Sequence, residues 1–229
     1  MAEPNRPIQL PYPGTPQAVA HGAWISPPRW GPPAQPVTGQ FRPAGGLGTA
    51  AIILTVLVAV GFWLEAAVPA TTGVAALLML PAGVVTCCWL WRVRHNADLV
   101  DPHRQRRARA WVWFGWGVPI AAWFVPKQVI DDAARSTMRA AGVSYVPGTD
   151  RWWTVWLMTT VISGAVNRID VSIQPLDGRL ERPLDLLVAF SITLAAVLWT
   201  PLVRQISAAQ DALASAPPIP TASGVTLPR

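Results

Sequence analysis

At 229 residues the chain is long enough for one soluble domain or for a small bundle of membrane helices. With 52% hydrophobic and 13% charged residues, and a mean hydropathy of +0.33, it is too apolar for an ordinary soluble surface. The net charge of +6 comes almost wholly from arginines that cluster beside apolar runs, which favours anionic phospholipid headgroups as partners over nucleic acid. Thirteen tryptophans fit a chain that meets the two interfaces of a bilayer. The two cysteines, Cys87 and Cys88, are neighbours inside an apolar run, so neither a disulfide framework nor a CxxC metal motif is available.

Residues 1 to about 45 carry eleven prolines, which suppress helix and sheet alike, and a disordered, partly polyproline II tail is expected. It is read as a solvated tail, or as a docking arm for a protein partner through spacings such as Pro13–Pro16 and Pro33–Pro36. The first apolar segment runs from about 47 to 67, is uncharged until Glu65, and is long enough to cross a hydrocarbon core of roughly 30 Å. Phe62 and Trp63 sit near its end, and Glu65 is placed where the interface would hydrate it. The second segment runs from about 73 to 91, with Pro81 near its middle and Trp89 and Trp91 expected at an interface. The helix is expected to continue to about Leu99, before Asp101-Pro102, which stacks Arg92 and Asn96 at i, i+4.

Arg92, Arg94, Arg104, Arg106, Arg107 and Arg109 then fall within eighteen residues, and the positive-inside rule makes this stretch, and with it the N-terminus, cytoplasmic. Arg104, Arg106, Arg107 and Arg109 are candidate contacts for lipid phosphates. His95, Asp98, Asp101 and His103 match no metal-ligand spacing, and the surrounding arginines oppose a dication. The third apolar segment, 110–126, spreads four tryptophans along its length and is broken by Pro119, so a re-entrant or interfacial course is preferred. Residues 127–141 form an amphipathic helix with Val129, Ile130, Ala133, Ala134 and Met138 on one face, opposite Asp131, Asp132, Arg135 and Arg139. Two further spans are expected at about 152–167 and 184–203, and a disordered C-terminal tail from 207 to 229.

The fold expected is therefore all-α: a polytopic helical membrane protein with four spans plus one re-entrant or interfacial segment rich in Pro and Trp, the alternative being five spans. Four spans put fifteen of the eighteen basic residues inside, five spans only twelve, which favours four. No apolar segment carries an ionisable group in its central part, and no nucleophile, metal or phosphate-binding motif is present, so neither an enzyme nor a cofactor is expected. The reading that remains is a scaffold or interaction protein of the cell membrane with cytoplasmic contact surfaces. The alternative is a pore or transporter for a neutral or lipid-like solute.

The stretch from Trp89 to Trp156 resembles the bacterial membrane family known as domain of unknown function 4328. The resemblance rests on Trp89, Arg92 and Asn96 for a W-x-x-R-x-x-x-N motif, and on Trp116, Pro119 and Pro126 for a W-F-x-P-x-x-N-x-x-x-P motif. Asp131, Asp132 and Arg135 follow, and then the pair Trp152-Trp153 that leads a span. Gly117, Ala122 and Ala134 depart from the family's usual Phe, Asn and Trp. The resemblance implies a bacterial multi-pass membrane protein with a proline-rich tail, and it implies no activity.

Overall fold

The computed structural model describes residues 41–143, 148–172 and 181–215. The proline-rich stretch 1–40, with its PxxP spacings, and residues 216–229 lie outside them. Every described element is helical: α1 (Gly45–Ala67), α2 (Val74–Val100), α3 (Trp111–Gly117), α4 (Val125–Ala140), α5 (Thr149–Ser172) and α6 (Glu181–Ser215). Three of them, α1, α2 and α6 from Arg182, are long and apolar enough to cross a membrane.

The boundaries follow from local chemistry. α1 starts just after Pro43 and stops at Val68, which is extended because Pro69 follows it. α2 begins after Gly73, whose φ of 96° only glycine adopts readily. It runs through Pro81 to Val100, roughly 40 Å at 1.5 Å per residue, so the expected extension beyond the apolar run is present. α4 ends in a Schellman turn: Gly142 has φ 70°, Val143 N–H donates to Met138 C=O and Gly142 N–H to Arg139 C=O.

The segment 110–126 is not one helix. α3 has seven residues, about 10 Å of rise against the roughly 30 Å of a hydrocarbon core. Pro119 forces Val118 into the extended region, a 3-10 turn follows at Ala121–Trp123, and Pro126 sits in the first turn of α4, where its missing N–H is harmless. Phe114 and Ile120 of this bend are 65% and 76% exposed, an apolar surface with no protein cover.

The long helices pack in the order α2, α1, α6, α5. Neighbours run antiparallel: Ala44 and Gly45 meet Asp211 at one end, while Trp63 Nε1 donates to Thr193 Oγ1 further along. The start of α1, the end of α2, the start of α5 and the end of α6 therefore share one end of the bundle with α3, α4 and the arginines. We call it the basic end.

Two expectations are corrected here. Residues 207–215 are not a tail but the last turns of α6, because Val203, Ile206, Ser207 and Gln210 recur on one face and are all buried. Trp89, expected at an interface beside Trp91, is likewise buried, packed with Trp152, Trp153 and Trp199. All four are buried in one ring cluster, joined by Trp89–Trp199 at 5.4 Å edge to face and Trp152–Trp199 at 4.6 Å.

Helix α1 packs close against α2 at Gly61, where an added Cβ would stand 3.1 Å from the Ala75 backbone. Gly61→Leu is expected to cost about 1–3 kcal/mol through this clash. Gly83→Ala in α2, which meets no atom within 4 Å, should be neutral or slightly stabilising. Thermal melts followed by fluorescence-detected size exclusion distinguish the two.

Candidate functional site at the basic end of the bundle

Trp89, Arg92 and Asn96 recur at i, i+3 and i+7, so they share the face of α2 that looks toward α1 and α6. Each has one task. Trp89 Nε1 donates to Ser207 Oγ of α6 at 2.9 Å. Arg92 Nη1 donates to the Pro43 carbonyl at 3.1 Å. Asn96 holds Arg42 by both main-chain groups: Arg42 N–H donates to Asn96 Oδ1 at 3.1 Å, and Asn96 Nδ2 donates to Arg42 C=O at 2.7 Å. An extended segment offers its N–H and C=O in this paired way, so the contact reads backbone rather than side chain.

Asn96 is fully buried and its amide is shared. Nδ2 also donates to Gln210 Oε1 at 2.9 Å, while Gln210 Nε2 donates to Val93 C=O and to Thr137 Oγ1, each at 3.0 Å. One chain of hydrogen bonds thereby joins the segment before α1 to α2, α6 and α4. Asp211 completes the clamp. Its Oδ1 accepts from Ala44 N–H at 2.7 Å and Gly45 N–H at 3.1 Å, capping the first turn of α1 from the far end of the chain. Glu65, expected to be hydrated at an interface, plays the same part for α2 by accepting from Ala75 N–H at 2.8 Å.

The arginines are held by aspartates of the protein itself. Asp98 accepts from Arg94 at 3.0 Å and from Arg109 at 2.8 Å, and Arg109 also lies 5.4 Å over the Trp91 ring. Asp101 pairs with Arg104 and Arg139, and Asp132 takes both the main-chain N–H and the guanidinium of Arg106. Arg107 donates to Gln128 Oε1 at 2.9 Å. Of the four arginines expected to meet lipid phosphates, each has an acceptor within the protein, and Arg104, at 66% exposed, is the most open.

Asp131 and Asp132 do not lie on an exposed polar face of α4. Both are buried, Asp131 against Lys127 at 2.6 Å and Arg135 at 3.3 Å. α4 packs on α2 and α6 with both acids buried, Asp132 paired with Arg106 of the arginine-rich stretch and Asp131 with cations of α4 itself. Lys127 also pairs with Asp150 at 2.7 Å, which ties α4 to the start of α5. That hydrogen bond to Lys127 and the ammonium's charge hold the Asp150 carboxyl below its usual range. Burial works against the Lys127 charge, but the bonds to Asp131 and Asp150 outweigh it and raise its pKa. The hydrogen bond to Asp132 raises that of Arg106. Among the described residues, no cluster of three His, Cys, Asp or Glu side chains is placed to hold a metal ion.

Below this polar layer lies the ring cluster, and Trp116 and Pro126 of the second motif join the two. Trp116 meets Trp156 edge to face at 5.6 Å, and Pro126 is fully buried at the start of α4, while Pro119 stays exposed at the bend. The side of the rings away from the polar layer forms one end of a trough of about 680 Å³. Its long walls are Thr55 and Val58 of α1, Gly83 and Cys87 of α2, Thr159 of α5 and Ala195 of α6.

Gln210, Asp211 and Ser207 were not singled out from sequence, because they fall in the polar stretch read as a tail. The signal that could have found them is the run of helix-forming residues continuing past Arg204 at the spacing of Val203, Ile206 and Gln210.

An all-helical bundle with apolar helices of spanning length, sealed at one end by ion pairs and buried amides, is compatible with a membrane protein. The chain belongs to the domain of unknown function (DUF4328) family, whose model matches residues 64–208. No curated protein and no solved structure matches it. Arg42, Gln210 and Asp211 lie outside the matched range, so the motif residue Asn96 acts on partners beyond it.

Replacing Asn96 by Leu removes the acceptor of Arg42 N–H and leaves Gln210 Oε1 unpartnered, at a cost of about 1–3 kcal/mol per stranded group. Amide exchange should quicken at Arg42 in Asn96→Leu and at Ala44 and Gly45 in Asp211→Ala, measured by mass spectrometry. Unchanged protection in both variants would show that the clamp contributes nothing to order.

Proposed function

We propose that this chain is a four-span protein of the bacterial cell membrane that presents its proline-rich N-terminal tail to partners from a fixed point on the cytoplasmic face. In this reading α1, α2, α5 and α6 cross the bilayer, α3 and the bend after it enter from the basic end without crossing, and α4 covers the basic end. Both chain termini lie in the cytoplasm. The observation that carries the proposal is the grip of Asn96, Arg92 and Asp211 on main-chain groups of residues 42–45. A tail rooted by main-chain hydrogen bonds leaves a defined place in a defined direction, which a contact arm requires and a mere solvated extension does not.

Two observations support the topology. α3 is too short to cross, and the exposed apolar side chains of its bend suit a hydrocarbon surrounding. The charged groups of 92–109 and α4 collect on one side, as the positive-inside rule requires. The paired arginines leave anionic headgroups a subsidiary part, at rim positions such as Arg104. The trough speaks for a pore or transporter, but the tryptophans that close it toward the basic end speak against a continuous path.

A C-terminal reporter that is active only outside the cell should be silent, and the same reporter placed between residues 173 and 180 should be active. A signal from the C-terminus would mean an odd number of crossings. Pull-down with residues 1–45 from the native source is expected to enrich a protein that a scrambled tail does not retain. Equal recovery on both baits would end the tail-presenting reading.

A further inference from the structure

The trough has no part in holding the tail, and its chemistry is of another kind. Its walls sit at the same levels of α1 and α2 as the outward-facing Ile53, Val56, Leu57 and Leu80, which are about half exposed or more. If those levels lie at hydrocarbon depth, the trough opens into hydrocarbon and not into water. Among the described residues, no Asp, Glu, Lys, Arg or His lines it. The hydroxyls of Thr55 and Thr160 donate to carbonyls of their own helices, Ala51 at 2.8 Å and Trp156 at 2.9 Å, which leaves the buried Thr159 hydroxyl, with no hydrogen-bond partner, as an isolated polar atom in an apolar wall. A charged or strongly hydrated solute would find little there to replace its water. A hydrocarbon chain would lose nothing and would give the wall atoms the contacts an empty space denies them.

Size and shape narrow the occupant. About 680 Å³ falls within the roughly 300–1,000 Å³ of sites for small molecules. One end is shut by Trp116, Trp152, Trp156 and Trp199, and the walls at Met79 and Val84 are open to the outside. A chain can enter sideways and lie with its tip on the rings. Its polar head has no room at the closed end and must leave at the other.

We propose that the trough seats one hydrocarbon chain of a membrane lipid, tip against the tryptophans and head group toward Phe62 and Met79. The proposal rests on the membrane reading above and is independent of what the tail binds. The wall chemistry accepts an acyl or a prenyl chain alike.

The test uses the full chain in phosphatidylglycerol and phosphatidylethanolamine vesicles. One arm carries a phospholipid with a diazirine at the acyl tip, and the other a polyprenyl alcohol with a diazirine at the distal end. After irradiation, adducts are expected on the peptide containing Trp152, Trp156 and Thr160, and the arm that labels identifies the source. Gly83→Phe projects a ring into the trough from a position where an added Cβ meets no atom within 4 Å, and it should lower this labelling several-fold. Gly164→Phe, equally open but outside the trough, should leave it unchanged. Should Gly83→Phe not reconstitute, the wild type decides: a diazirine beside the head group must label near Phe62 and Met79 in place of the ring cluster. Adducts confined to outward residues such as Ile53 and Leu80 mean surrounding lipid only and overturn the proposal. So do equal labelling of wild type and Gly83→Phe, and a crosslink to a second copy of the chain in place of lipid. None of these failures alters the reporter signal, which reads topology whatever fills the trough.

Discussion

Two primary amides, Asn96 and Gln210, meet out of reach of solvent, and the basic end is registered on that meeting. Buried amides are expensive unless satisfied, and here Asn96 Oδ1, Asn96 Nδ2, Gln210 Oε1 and Gln210 Nε2 all have partners. The partners come from α2, α4, α6 and the segment before α1, so a shift of any one of these leaves a polar group stranded. Apolar packing alone would tolerate small slides of helix on helix. A satisfied amide pair permits one register.

The second constraint is the broken backbone between α3 and α4. Pro119 and Pro126 remove two donors and open the helix, and a chain interrupted in this way has to be held from outside itself. Its entry is held by the ion pairs of Arg106 and Arg109, and its exit by Lys127 bridging Asp131 and Asp150. Trp116, set against Trp153 and Trp156, fastens the middle. The charges near the bend act chiefly as fasteners for an irregular segment, which explains why aspartates are buried on α4 at all.

The apolar runs that became α1 and α2, and the stop at Asp101-Pro102, were legible because length, hydropathy and a breaker all point the same way there. The break at Pro119 was legible for the same reason. The end of α6 was not: its last turns are polar, and only the register of Val203, Ile206 and Gln210 betrays a buried face. The motif of Trp89, Arg92 and Asn96 could be seen, but not what it grips, since main-chain partners leave no trace in the identity of residues 42–45. The amphipathic reading of α4 placed its apolar face correctly and its acids wrongly. Periodicity reports which side chains dislike water, and it is blind to a carboxylate such as Asp132, buried against an arginine from another segment.

Asp211 has a consequence for how the molecule comes into being. Helix α1 is capped by a carboxylate made 166 residues after Gly45, so its opening turn lacks that acceptor until the end of α6 has been made. The Asn96 amide likewise waits for Gln210. Formation of α1 and α2 and closure of the basic end are thus separate events in time. A chain cut short before the final turns of α6 would keep its apolar helices while residues 42–45 lost the carboxylate and the amide network that hold them.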